Sequence, residues 1–159
     1  MRTLLRLVHG LEDVLLYLLV LLLVGLSVYQ IVLRNAFESG LYWADPLLRV
    51  CVLWLAMIGA MLASRERAHI KIDVLSHYMQ GRALVWSGAV TALFSAIICF
   101  VAAYYGLLFV ADEREYGGMA FASVPAWVCE AIIPIGLGII GLRFLLESAM
   151  HLRRPENLA

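Results

Sequence analysis

Ionisable side chains inside apolar stretches are the residues of this sequence that could do chemistry. Glu130 and Arg49 lie within long apolar runs, and Asp45 lies at the edge of one. A carboxylate inside a bilayer is either a functional group, such as an ion-coupling site, or the partner of a nearby cation. For Glu130 we expect hydration near the membrane surface or pairing with Arg49, and proton or ion coupling is the alternative.

Enzymatic and haem chemistry are not supported by the motifs. The sequence has no phosphate-binding glycine loop, no nucleophile with a base at a recognised spacing and no metal-ligand spacing. A haem held inside a helix bundle needs axial histidines within the helices. The four histidines lie instead in connections or termini: His9, His69, His77 and His151. We therefore expect no enzyme, no metal site and no cofactor in this chain.

Four apolar runs must position the ionisable groups. The chain has 159 residues, of which 64% are hydrophobic and only 15% are charged, which is unlike a soluble globular domain. Because a helix needs about 20 apolar residues to cross a bilayer, we predict an all-α integral membrane protein that is one membrane domain, 1–159. Its transmembrane helices are predicted at 14–33, 47–63, 83–110 and 125–146.

The connections between the runs are too short to fold alone. The longest, 64–82, has 19 residues, which is too few to bury a hydrophobic core. A signal peptide is the alternative for the first run, but no small-x-small cleavage site follows it. We therefore expect a retained first helix and no soluble domain.

Positive charge predicts the orientation. Cytoplasmic segments of membrane proteins carry an excess of Lys and Arg. With four crossings, the termini and the connection 64–82 share one side, and the connections 34–46 and 111–124 share the other. The first side is predicted to be cytoplasmic because it carries Arg2, Arg6, Arg65, Arg67, Lys71, Arg82, Arg153 and Arg154, whereas the other carries Arg34 and Arg114.

Segment 68–80 has an amphipathic pattern. Its basic and apolar residues favour a position along the cytoplasmic membrane surface, against anionic headgroups. His69 and Asp73 lie four residues apart in this segment. We expect them to be solvated or paired rather than catalytic.

The second run begins with residues typical of a helix N-terminus. Asp45 is predicted as the N-cap and Pro46 as the first helical residue. Arg49 follows Asp45 by four residues, on the same face, so an Asp45–Arg49 pair is predicted to stabilise the arginine. Trp43, just before, has the character of an interfacial anchor.

Small residues recur along one face of the third run. Such a face lets another helix approach closely in a bilayer, and the neighbour is either a helix of this chain or another protein. In the fourth run, Pro134 predicts a kink. The small residues are Gly88, Ala92, Ser95, Cys99, Ala102 and Gly106.

Residues 33–73 carry a resemblance to a known family. The motifs are Leu33-Arg34-Asn35-Ala36-Phe37, Trp43-Ala44-Asp45, Arg49, Trp54-Leu55-Ala56-Met57-Ile58-Gly59-Ala60 and His69-Ile70-Lys71-Ile72-Asp73. In this order and spacing the sequence resembles the small membrane subunit of tripartite ATP-independent periplasmic (TRAP) transporters, the DctQ-like family. The family commonly has a second acidic residue after the Trp motif, where this chain has Pro46.

The resemblance implies a function that the residues alone do not. It implies four transmembrane helices in the bacterial inner membrane and a scaffold subunit that translocates nothing itself. Its partners would be a large membrane subunit, in which sodium coupling is expected, and a periplasmic solute-binding protein that captures an organic acid. Arg34, Asp45, Arg49 and Trp54 would organise the outer half of the subunit, and His69 and Asp73 the inner half. The alternative is a self-sufficient dimeric transporter in which Glu130 is the coupling carboxylate.

Overall fold

The protein is described from a computed structural model. The model describes the backbone of residues 2–38, 40–66 and 82–153, and the side chains of residues 12–38, 40–65 and 86–151. The predicted interfacial segment 68–80, with His69 and Asp73, lies outside the described residues.

The described chain is almost entirely helical. Four helical segments are long and apolar enough to cross a membrane, as predicted, and the helices extend into the polar residues that flank the apolar runs. In the fourth segment a short helix and a long one follow each other. The elements are α1 (Arg2–Phe37), α2 (Ala44–Glu66), α3 (Arg82–Tyr116), β1 (Met119–Phe121), β2 (Val124–Pro125), α4 (Ala126–Glu130) and α5 (Ile132–Arg153).

A small hairpin returns the chain from α3 to α4. Gly117 ends α3 with φ +67, a left-handed conformation that glycine adopts without steric cost. Its N–H donates to the Glu113 carbonyl at 3.1 Å, and the Ala126 N–H donates to the Gly118 carbonyl at 2.9 Å. Strands β1 and β2 pair antiparallel within this turn. The fourth segment thus begins immediately beside the end of the third.

The fourth segment is interrupted at Ala131, three residues before Pro134. Proline has no N–H to donate to the carbonyl four residues earlier, and its ring crowds that carbonyl. The carbonyl concerned belongs to Glu130, the last residue of α4. The interruption therefore lies on the N-terminal side of the proline, at the position where the missing N–H predicts it, and Ala131 itself keeps helical backbone angles.

Helix α2 is the centre of the arrangement. It packs against α1 on one side and α5 on the other, while α3 packs mainly against α5. The buried core lies between α2 and the fourth segment, and Leu16 and Leu19 of α1 pack against it. The core residues are Ile58, Met61, Ile132 and Ile140.

Helices α3 and α5 approach closely through small residues. An ideal Cβ on Gly141 would lie 3.2 Å from the Cys99 Cβ, and one on Gly106 would lie 3.5 Å from the Pro134 Cβ. The Ser148 hydroxyl also donates to the Ala89 carbonyl at 2.9 Å. The small residues of the third run were predicted to face either a helix of this chain or another protein. The structure places them against a helix of this chain, α5.

We predict that Gly141→Val destabilises the protein and that Gly138→Val does not. A side chain at Gly141 must displace Cys99 and Phe100, whereas a Cβ on Gly138 meets nothing within 4 Å. Overpacking of this kind costs about 1–3 kcal/mol. Thermal unfolding of the two variants in detergent measures the difference, and Gly138→Val controls for the change in helix propensity. Equal unfolding temperatures would contradict the close approach of α3 and α5.

Candidate functional site

Four charged side chains connect α1, α2 and α5 at one end of the molecule. Arg143 Nη2 donates to Glu12 Oε1 at 2.7 Å, and Arg65 Nη2 donates to Asp13 Oδ1 at 3.1 Å. Arg65 Nη1 also lies 3.8 Å from Glu12 Oε2. The Glu12 side chain is 12% exposed and that of Arg143 is 22% exposed. We call Glu12, Asp13, Arg65 and Arg143 the charged cluster, and its formal charges sum to zero.

Arg143 binds the end of α2 as well as α1. Its Nη1 donates to the Met61 carbonyl and lies 3.2 Å from the Ser64 hydroxyl oxygen. The Ser64 hydroxyl donates to the same carbonyl at 2.6 Å. Met61 lies near the C-terminus of α2, the end of a helix at which a cation is favourable. Arg143 therefore holds three helices at once.

At the opposite end, Asp45 connects α1 to α2. Its Oδ1 accepts from Gln30 Nε2 at 2.9 Å, and its Oδ2 accepts from Arg34 Nη2 at 2.8 Å. Gln30 is only 5% exposed, so its amide needs a partner within the protein. Asp45 is the residue that supplies it.

Two predictions about Asp45 were wrong. Asp45 is the second residue of α2 rather than its N-cap, and its carboxylate binds α1 instead of a backbone N–H. Among the described ion pairs its partner is Arg34, not Arg49. The reason is geometric: the C-terminal part of α1 passes the start of α2, so Gln30 and Arg34 reach both carboxylate oxygens.

Two tryptophans connect other elements. Trp54 Nε1 donates to the Cys129 carbonyl at 2.9 Å, next to the interruption between α4 and α5. The Arg114 guanidinium lies 5.5 Å from the centroid of the Trp127 ring, within the range of a cation–π contact. Trp54 therefore joins α2 to the fourth segment, and Arg114 joins the end of α3 to α4. Trp43, by contrast, is 43% exposed.

The predicted pair of Glu130 and Arg49 is not formed. No ion pair to either residue occurs within residues 12–38, 40–65 and 86–151. Glu130 Oε2 is buried without a hydrogen-bond partner, whereas Arg49 is exposed.

The charged cluster was not predicted from the sequence. Glu12, Asp13, Arg65 and Arg143 were not among the candidate site residues. Arg143 within an apolar run was the one available signal, since a cation at that depth needs an acidic partner. The partner could not be identified by spacing, because Glu12 lies 131 positions away. The described side chains also contain no group of three or more His, Cys, Asp or Glu residues that could hold a metal.

We predict that Arg143→Met destabilises the protein strongly and that adding Glu12→Gln restores part of the loss. The single change leaves a buried carboxylate with too little positive charge, which costs on the order of 3–5 kcal/mol. The double variant removes one charge of each sign and leaves the Arg65–Asp13 pair. Unfolding temperatures in detergent measure both variants. A double variant less stable than the single one would show that the cluster does not act through charge pairing.

Comparison with known proteins gives a consistent set of relatives. The chain is 25% identical over 150 residues to the ectoine TRAP transporter small permease protein of Halomonas elongata, which covers 92% of this chain and 76% of the relative. It is 24% identical over 137 residues to the sialic acid TRAP transporter permease protein of Haemophilus influenzae. That match covers 84% of this chain but 21% of the relative, so the relative is a much longer polypeptide.

A further relative and a family model agree. A putative TRAP transporter small permease protein of Haemophilus influenzae is 28% identical over 103 residues, 64% of this chain and 63% of the relative. The model of the DctQ component of tripartite ATP-independent periplasmic transporters matches residues 23–154, which include the C-terminal part of α1 and nearly all of the chain after it. The chain is a multi-pass membrane protein that belongs to the DctQ family of TRAP transporter components.

Proposed function

We propose that this chain is a scaffold subunit that braces a large TRAP permease subunit in the bacterial inner membrane and carries no solute itself. The strongest support is that polar side chains of the spans bind side chains of neighbouring helices. At one end Arg143 binds Glu12 and Arg65 binds Asp13, and at the other end Gln30 binds Asp45, in each case between two helices. Within the described residues they leave no converging set of polar groups that could hold a solute.

The proposal also specifies the orientation of the chain in the membrane and the surface that faces the solute-binding protein. The termini lie in the cytoplasm, because basic residues concentrate in the termini and in connection 64–82. The hairpin and the start of α2 then face the periplasm. Exposed acidic residues on that side, Glu38, Asp112 and Glu115, help to receive a periplasmic solute-binding protein.

The transported solute is an organic acid whose uptake is coupled to sodium in the large subunit. Two relatives are named for ectoine and sialic acid, and both of these compounds carry a carboxylate. If this chain is a scaffold, the large subunit and the solute-binding protein select the solute. This chain then needs neither a cofactor nor a metal.

A second candidate rests on Glu130. Its Oε2 is buried without a hydrogen-bond partner, and a carboxylate inside a membrane is commonly functional. On this reading the chain would transport on its own as a dimer, with Glu130 as the coupling group.

Replacement of Glu130 distinguishes the scaffold proposal from the self-sufficient transporter. We predict that Glu130→Gln leaves sodium-driven uptake within about twofold of the unsubstituted complex, because a scaffold residue takes no part in coupling. The measurement is uptake of radiolabelled solute by proteoliposomes that contain this chain, the large subunit and the binding protein. Recovery of the large subunit with each variant is the control for assembly.

Two outcomes would overturn the scaffold proposal. One is loss of uptake by Glu130→Gln with normal assembly. The other is sodium-driven uptake by proteoliposomes that contain this chain alone.

A further inference from the structure

The exposed face of α2 differs from the exposed faces of the other spans. Between Arg49 and the end of the span, the exposed residues of α2 are Val52, Ala56, Ala60 and Ala63. Together with Arg49 they lie within an arc of about 80° at 3.6 residues per turn. The buried side of the same helix carries Cys51, Ile58 and Met61, so this face points away from α1 and α5.

The exposed faces of α1, α3 and α5 carry mostly bulky side chains. On α3, for example, none of the exposed residues from Trp86 to Phe109 is an alanine or a glycine. Bulky apolar and aromatic side chains suit lipid contact, whereas small side chains let another helix approach closely. The small exposed side chains of α2 therefore suit contact with another protein, whereas the bulky exposed side chains of the other helices suit contact with lipid.

Arg49 adds a charge to the same face. It lies five residues into a span that runs Ala44–Arg65, about 7.5 Å along the helix axis at 1.5 Å per residue. It is exposed, and it forms no ion pair within the described part of the chain. A guanidinium at this depth requires an acidic partner or an aqueous path. Asp45, the nearest acid along α2, is already bound by Gln30 and Arg34.

We infer that this face of α2 is the docking surface for a transmembrane helix of the large permease subunit, and that this helix carries an Asp or Glu at the level of Arg49. The inference rests on the proposed function and specifies its interface. Charge complementarity at Arg49 sets the depth of the partner, and the alanines allow its backbone to approach α2. In the sialic acid relative, the region that matches this chain is 21% of a longer polypeptide. There the matching region is covalently joined to further segments, which is consistent with close contact between the two parts.

Val52 and Val101 provide a matched pair of positions for the test. Both are valines within spans, on α2 and α3 respectively, and they are 53% and 51% exposed. The photoreactive residue p-benzoylphenylalanine is placed at one position or the other, the chain is co-expressed with the large subunit and the binding protein, and membranes are irradiated. We expect an adduct of this chain with the large subunit from position 52 and at least tenfold less from position 101.

Substitution of Arg49 tests the charge. We expect Arg49→Glu to reduce co-purification of the large subunit at least tenfold, and Arg49→Lys to retain most of it. Equal recovery with both variants would contradict the acidic partner.

The remaining outcomes separate this inference from the proposed function. Adducts from position 52 with lipid alone, or with a second copy of this chain, would overturn the inference, as would adducts with the large subunit from position 101 alone. If the large subunit co-purifies with the unsubstituted chain in those cases, the scaffold proposal stands and only its interface is wrong. If it does not co-purify at all, both fail.

Discussion

The hydrocarbon core of a bilayer offers no hydrogen-bond partners, so the polar groups of a spanning helix are satisfied by the protein itself. In this chain the backbone meets that constraint within each helix, and several charged and amide side chains meet it between helices. Arg143 reaches Glu12 of α1 and the Met61 carbonyl of α2, and Asp45 of α2 binds Gln30 and Arg34 of α1. These contacts lie at opposite ends of α1 and α2, and together they fix both the spacing and the relative rotation of the two helices.

Apolar packing completes the arrangement by a different means. Lipid provides no hydrophobic drive for helix association, so α3 and α5 are held by close approach through Gly106 and Gly141 and by the Ser148–Ala89 hydrogen bond. Helix α2, between α1 and α5, belongs to both systems: charged contacts hold it to α1, and Trp54 and the buried core hold it to the fourth segment. A rigid unit with α2 at its centre follows.

The proposed scaffold role in a subunit of the DctQ family requires a rigid unit of this kind. The charged cluster opposes sliding of α1, α2 and α5 past one another. Polar groups that serve as contacts between helices are also not free to serve a solute. Glu130 and Arg49 form no ion pair within the described residues: Glu130 Oε2 is buried without a hydrogen-bond partner, and Arg49 is exposed.

The sequence by itself determined the number of spans, their approximate positions, the proline interruption and the family. Each of these depends on local properties: runs of about 20 apolar residues, the missing N–H of proline, and motifs within residues 33–73. Small residues at helical spacing also showed which side of α3 would meet another helix, but not whether that helix belonged to the same chain.

The choice of polar partners was decided only by the tertiary structure. Spacing along α2 favoured Asp45 with Arg49, yet α1 passes close enough for Arg34 and Gln30 to bind Asp45 instead. Glu12 and Arg143 are 131 positions apart, and no periodicity connects them. Pairing between helices depends on how their axes cross and which faces meet. Those quantities are set by packing over the whole chain, and local sequence carries no record of them.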